Sequence, residues 1–151
     1  MSVFNAFNAN ASALTAQRLR MDVTSSNIAN ANSTRARVNE NGEFEPYRRK
    51  MVALEPNGSS FKSYLHKARY GESSSATGVR ASQIVDDTEP FRSVYEPEHP
   101  DADEEGFVDY PNVDPLKEMT DMMGASRSYE ANITSLNTTK DMLLKALEIG
   151  K

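Results

Sequence analysis

The large apolar side chains near the start of the chain recur at alternating steps of three and four: Phe4, Phe7, Ala11, Leu14, Met21 and Ile28, with Arg18 and Ser25 at the remaining stripe positions. This spacing predicts one helix with a narrow, coiled-coil-like seam. Its other positions are mostly Asn, Ser, Thr and Gln, several of them weak helix formers, so the helix is marginal alone and needs a partner. In Asn27-Ile28-Ala29-Asn30-Ala31-Asn32-Ser33-Thr34 the side chains compete for backbone hydrogen bonds, and the helix is expected to stop near Asn30.

Beyond Arg35 the period changes. Asn41-Gly42 is a hairpin signal, and Tyr47 to Leu54 and Val79 to Val85 read as short strands. Ser93-Val94-Tyr95 and Phe107-Val108 add extended pieces to what is expected to be one small, irregular β unit. Residues 57–77 contain two Gly/Ser clusters and read as an exposed, flexible loop.

After Pro111, Asp114 is a suitable N-cap, Pro115 suits a first helical position, and no Pro follows. A helix of roughly 36 residues, about 54 Å long, is expected. Its seam is Met119, Met122, Tyr129, Ile133, Leu136, Leu143 and Leu147, interrupted by Ser126 and Lys140. The predicted fold is therefore α+β, with long N- and C-terminal helices packed as a coiled-coil-like pair and a small irregular β unit between them. Residues 1–34 and 111–151 form the helical domain and 35–110 the β-rich one. The two stripes can serve as a subunit interface, or simply pack on each other within one chain.

Composition narrows the function. With 38% hydrophobic and 26% charged residues and no Trp among 151, the chain can bury only a modest core. A net charge of −5 argues against a nucleic-acid partner. The charge is uneven: ten carboxylates face Arg92 alone between Asp86 and Asp109, a pattern that favours head-to-tail contacts between copies or similar neighbours. The absence of Cys excludes disulfides, thiolate metal sites and cysteine nucleophiles. No apolar run is long enough for a membrane span, and no charged n-region marks a cleaved secretory signal.

Asp101-Ala102-Asp103-Glu104-Glu105-Gly106-Phe107-Val108-Asp109 follows the opening of a calcium loop, acidic at one, three and five with Gly at six. The match ends at Asn112, where a bidentate Glu is required, and at Pro111, where a helix should run. An acidic turn with Gly106 at positive φ is expected; a soluble helical adaptor with a calcium-responsive loop at 101–112 is the alternative function. His66 and His99 lack partners at metal spacing and are expected at the surface. With no nucleophile elbow and no phosphate loop, no catalytic residue, cofactor or small-molecule substrate is expected.

Several stretches carry a family resemblance: Ser25 to Thr34, Gly78 to Val85, Tyr95 to Asp103, Gly106 to Asp114, Glu118 to Met123 and Arg127 to Asn132. In these the chain resembles the flagellar rod, hook and filament axial family. Ala29-Asn30 and Tyr129-Glu130-Ala131-Asn132 are shared across that family, while Glu-Pro-x-His-Pro-Asp-Ala-Asp, with His99, Pro100 and Asp101, points to its C-type proximal rod members. Glu98 departs from the usual Gly, and 57–77 matches nothing in the family. The resemblance implies a non-enzymatic structural subunit, exported by the flagellar type III apparatus without a cleaved signal. It implies assembly with other rod proteins and copies of itself into the periplasmic rod, where a helical array transmits torque. The terminal helices would line a narrow channel and 35–110 would lie outside.

Overall fold

The computed structural model describes residues 3–39, 42–57, 65, 68–69 and 78–149. Among the described residues, two long helices, α1 (Val3–Ala29) and α2 (Pro115–Ile149), flank six strands. These are β1 (Arg37–Val38), β2 (Phe44–Glu45), β3 (Lys50–Pro56), β4 (Val79–Asp86), β5 (Arg92–Tyr95) and β6 (Phe107–Tyr110). The α+β class is as the pattern predicts. The single small β unit, however, is three separate two-stranded ladders, β1–β2, β3–β4 and β5–β6. The strands are short and mostly exposed along both faces, so no shared apolar face draws the ladders into one sheet.

Local chemistry explains the boundaries. At the end of α1, the backbone and side-chain N–H groups of Asn30 both donate to Ser26 O and close the last turn. At the start of α2, Asp114 Oδ1 accepts the Leu116 amide at 2.9 Å, satisfying one of the orphan donors of the first turn. Gly42 takes φ +84° in the β1–β2 connection, and Gly106 takes φ +83° before β6 with Tyr95 and Pro97 packed where a Cβ would stand. Most of the expected loop at 57–77 lies outside the described residues.

Contacts group the chain into two compact units. One comprises Met1–Leu19, Ala53–Gln83 and Gly124–Lys151. In it Asn10 donates to Ser135 Oγ across the helices, and Ser12 Oγ donates to Ala9 O while accepting the Val79 amide. Gly78 fits there because an added Cβ would come 2.4 Å from Ser12 Oγ.

The other unit comprises Arg20–Val52 and Ile84–Met123. Here α1 and α2 run antiparallel, with Arg20 beside Asp121 and Asn27 beside Glu118. β5 and β6 pair antiparallel, Val94 opposite Val108. Among the described residues the buried apolar side chains are few, Ala16, Tyr47, Val108, Pro111, Val113 and Ala125, and nearly as many buried positions are polar: Thr24, Asn27, Asp87 and Glu118. The lean composition has become a lean core.

Candidate functional site

The face that α2 turns inward is offset from the stripe that hydropathy marks out. Met122, Tyr129, Leu136 and Leu143 are half-buried, and the residues that alternate with them on that face are Glu118, Ala125, Asn132 and Thr139. Small and polar side chains there let the backbones approach, but they carry no hydropathic signal. The other half of the expected seam faces outward: Met119 is 51% exposed, Ile133 38% and Leu147 71%. In α1 the most buried residues are likewise Ala16, Thr24 and Asn27, with Leu14, Met21 and Ile28 half-buried beside them and Phe7 exposed. Phe4 lies in α1, but its side chain is outside the described residues.

Where α1 ends and α2 begins, a polar cluster occupies the place of a core. Asn27, 1% exposed, uses its whole amide. Its Nδ2 donates to Lys50 O and to Glu118 Oε2, both at 2.9 Å, and its Oδ1 accepts from Lys50 N and the Tyr47 hydroxyl, both at 3.0 Å. Asn27 thus grips the Lys50 peptide as a neighbouring strand would. Glu118, also 1% exposed, accepts the Arg49 guanidinium on its other oxygen at 2.7 Å. Arg49 reaches Asp87 at 3.0 Å as well, and its backbone N–H donates to Asn112 Oδ1 at 2.8 Å. The cluster ties α1, β3, the chain after β4 and the start of α2 into one unit. Glu118 sits in the first turn of α2, where the positive end of the helix dipole favours a carboxylate.

Burial works against the Arg49 charge, but hydrogen bonds to Glu118 and Asp87 outweigh it and raise the guanidinium pKa. The Glu89 amide, together with Arg49, holds the Asp87 carboxyl below its ordinary value against its burial. Asp101 is lowered too, by hydrogen bonds from Arg35 and Thr34. A carboxylate with a depressed folded-state pKa contributes stability above its unfolded value, about 4, and loses it as pH falls through the folded pKa. The urea midpoint is therefore expected to hold from about pH 7 to 5 and to fall steeply below about pH 4. Asp87→Asn should flatten that fall, and an unchanged acid limb in the variant would show that Asp87 plays no part in it.

Replacing Asn27 by Leu makes a second test. Leu is the better helix former by under about 0.7 kcal/mol and would extend the apolar seam, so pattern alone predicts a gain. The structure predicts a loss of about 2 kcal/mol, because Lys50 N, Tyr47 OH and Glu118 are left without their partner. Urea unfolding decides between them.

The acidic connection between β5 and β6 is a tied turn. Asp101 is held by Arg35 and Thr34, Asp103 Oδ1 accepts the Glu105 and Phe107 amides, and Asp109 accepts Ser93 Oγ. Among the described residues no group of three or more His, Asp or Glu side chains is placed to hold a metal ion. His99 is half-buried, so the surface position expected for it needs correction: its Nδ1 accepts the Asp101 amide and its ring lies 6.3 Å from Tyr110. His66 is outside the described residues. Pro100 is exposed on the same turn.

Of the motif shared across the axial family, Ala29 is exposed, Asn30 caps α1, Glu130 and Ala131 are exposed, and Asn132 is half-buried with its amide on Ser128 O. Asn27 and Glu118 stand in stretches that carry the family resemblance, but nothing in the sequence marks them, or Arg49 and Asp87, as buried partners. Arg49 lies between Arg48 and Lys50 and reads as part of a solvated basic face, and Glu118 reads as an ordinary first-turn acid.

No described helix is long and apolar enough to cross a membrane. Residues 7–37 match the family described as flagella basal body rod protein, and residues 104–149 match the flagellar basal body rod FlgEFG protein C-terminal family. The chain is 56% identical to the flagellar basal-body rod protein FlgC of Bacillus subtilis over 151 residues, the full length of both. It is 41% identical to that of Yersinia enterocolitica, again over all of both chains, and 39% identical to that of Borreliella burgdorferi over 99% of this chain and 98% of that one. With both helices matched by rod families and the whole length aligned at such identity, the chain belongs to the FlgC family of flagellar basal-body rod proteins.

Proposed function

We propose that this chain is a structural subunit of the flagellar basal-body rod, holding its place by packing and turning over no substrate. The observation that carries the reading is the full-length likeness to relatives that bear that name. The structure supports it physically. A core this sparse, with large apolar side chains left on the outward column of α2, gains stability when neighbours cover that column. The stripe residues Phe4, Phe7, Leu14, Met21 and Ile28 with Met119, Met122, Tyr129, Ile133, Leu136, Leu143 and Leu147 are the interface of this reading. In it 1–34 and 111–151 form an inner helical layer in coiled-coil-like packing, and 35–110 an outer β-rich one. Torque then passes through many repeated contacts. The partners are other rod proteins, further copies, and the flagellar export apparatus, which delivers the chain to the periplasmic rod without signal cleavage. Marginal helices suit such transit, because folding is completed by assembly.

The test is to tag the chain, extract intact basal bodies with detergent and blot the rod fraction. Retention there is expected. A soluble pool absent from rods, in cells that still swim, would refute the assignment.

A further inference from the structure

In the unit made of Arg20–Val52 and Ile84–Met123, a cleft of about 300 Å³ opens beside Pro46 and Tyr47. Four cations line it, Arg35, Arg37, Arg48 and Lys50, against two carboxylates, Glu45 and Asp86. Two of the cations are engaged: Arg35 by Asp101, and Arg48 by Glu45 and by the Phe91 ring, 4.4 Å away. Arg37 and Lys50 are exposed, and neither has a carboxylate partner among the described residues; Lys50 has only the Tyr47 ring, at 5.9 Å.

The same unit carries a surplus of the opposite sign. Glu98, Glu104 and Glu105 are exposed on the connection between β5 and β6 and make no ion pair among the described residues. That connection is preorganised, with Asp103 capping two amides, Asp101 pinned to Thr34 and Arg35, and Gly106 packed under Tyr95 and Pro97. Its free carboxylates do not pair with Arg37 or Lys50 of their own chain. Among the described residues, each copy therefore presents a cleft with an excess of cations, Arg37 and Lys50 against Asp86, and a turn on which Glu98, Glu104 and Glu105 have no cation partner.

We propose that the cleft at Arg37 and Lys50 receives the acidic turn carrying Glu98, Glu104 and Glu105 of a second copy of this chain. The inference rests on the rod reading above. Two different patches pairing between copies make a heterologous contact, the kind that builds rings or open helical arrays. Opposite charge across it sets register and partner choice more than affinity. Exposed pairs are individually weak and screened by salt, so the contact persists through repetition in an array.

The cysteine-free chain makes the test direct. Two differently tagged chains, one Ala36→Cys and one Glu104→Cys, are expressed together in cells lacking the native copy, and isolated basal bodies are treated with a short bis-maleimide. A linked product carrying both tags is expected. Arg37→Glu with Lys50→Glu in the first chain should lower its yield about tenfold, and Glu98→Lys with Glu105→Lys in the second should restore it. The contact is overturned if both tags are in the fraction without that product, if the product joins a different protein, or if its yield ignores the charge reversals. Absence of both tags from the fraction would instead overturn the rod reading.

Discussion

Glu118→Ala is expected to destabilise the chain by about 3 kcal/mol, because a guanidinium that burial has taken from water loses the nearest of its carboxylates and Asn27 loses an acceptor. Arg49 would keep Asp87 at 3.0 Å and Asp121 at 3.7 Å but lose its 2.7 Å partner, and Asn27 would lose the acceptor of one of its two donated bonds. For a chain of this length that loss corresponds to a melting temperature lower by about 10 °C. Urea unfolding followed by far-ultraviolet circular dichroism measures it, and a loss under about 1 kcal/mol would mean that water repairs the site. Arg49→Met with Glu118→Leu and Asp87→Asn should lose much less, since no buried charge is then left without its partner. The comparison separates the two roles of a buried pair. Its net contribution to stability is small, but breaking one half is costly, and that asymmetry selects a single pairing of α1 with α2.

Such selection matters in this chain because the helices offer little else to fix their register. Their most buried facing residues are Ala16, Thr24, Asn27, Glu118 and Ala125, and none is a large apolar knob. A seam of Ala and Thr tolerates sliding, whereas an Asn amide that must meet Lys50, Tyr47 and Glu118 together does not.

Hydropathy, punctuation and spacing made the elements legible in the sequence. Asp114-Pro115 marks the start of α2, Asn30 the end of α1, and Gly42 and Gly106 two of the turns where glycine takes positive φ. Asn41-Gly42 marks the turn between β1 and β2, but the pairing of β3 with β4 and of β5 with β6 was not legible, because mostly exposed strands carry no burial pattern from which to read distant partners. The polar cluster was hidden for a different reason. Burial of Arg49 and Glu118 depends on Asp87 and Asn27, distant in sequence, and each of the four residues taken alone reads as surface. The heptad pattern of α2 was half informative. It contained the inward residues Met122, Tyr129, Leu136 and Leu143, yet it merged them with Met119, Ile133 and Leu147, which one copy leaves exposed. α2 carries two apolar columns, one half-buried and one exposed, and a single stripe drawn through the sequence averages them.

That division predicts the outcome of Ile133→Asp combined with Leu136→Asp, which places one charge on each column of α2. Leu136 is half-buried beside α1, and Ile133 is 38% exposed on the outward column. A carboxylate on the first must stay in a partly apolar contact, and one on the second would be desolvated when a neighbour covers it. Cells carrying the double variant are expected to be non-motile, with the chain missing from the rod fraction. Thr134→Asp with Asn137→Asp is the matched control: it adds the same charge at the same spacing to exposed polar positions of the helix. The control should swim normally, which separates the seam from any general effect of charge on α2. Normal rods from the Ile133→Asp, Leu136→Asp chain would mean that α2 makes its contacts through another face. Failure of both variants alike would mean that charge on the helix matters rather than the column that carries it.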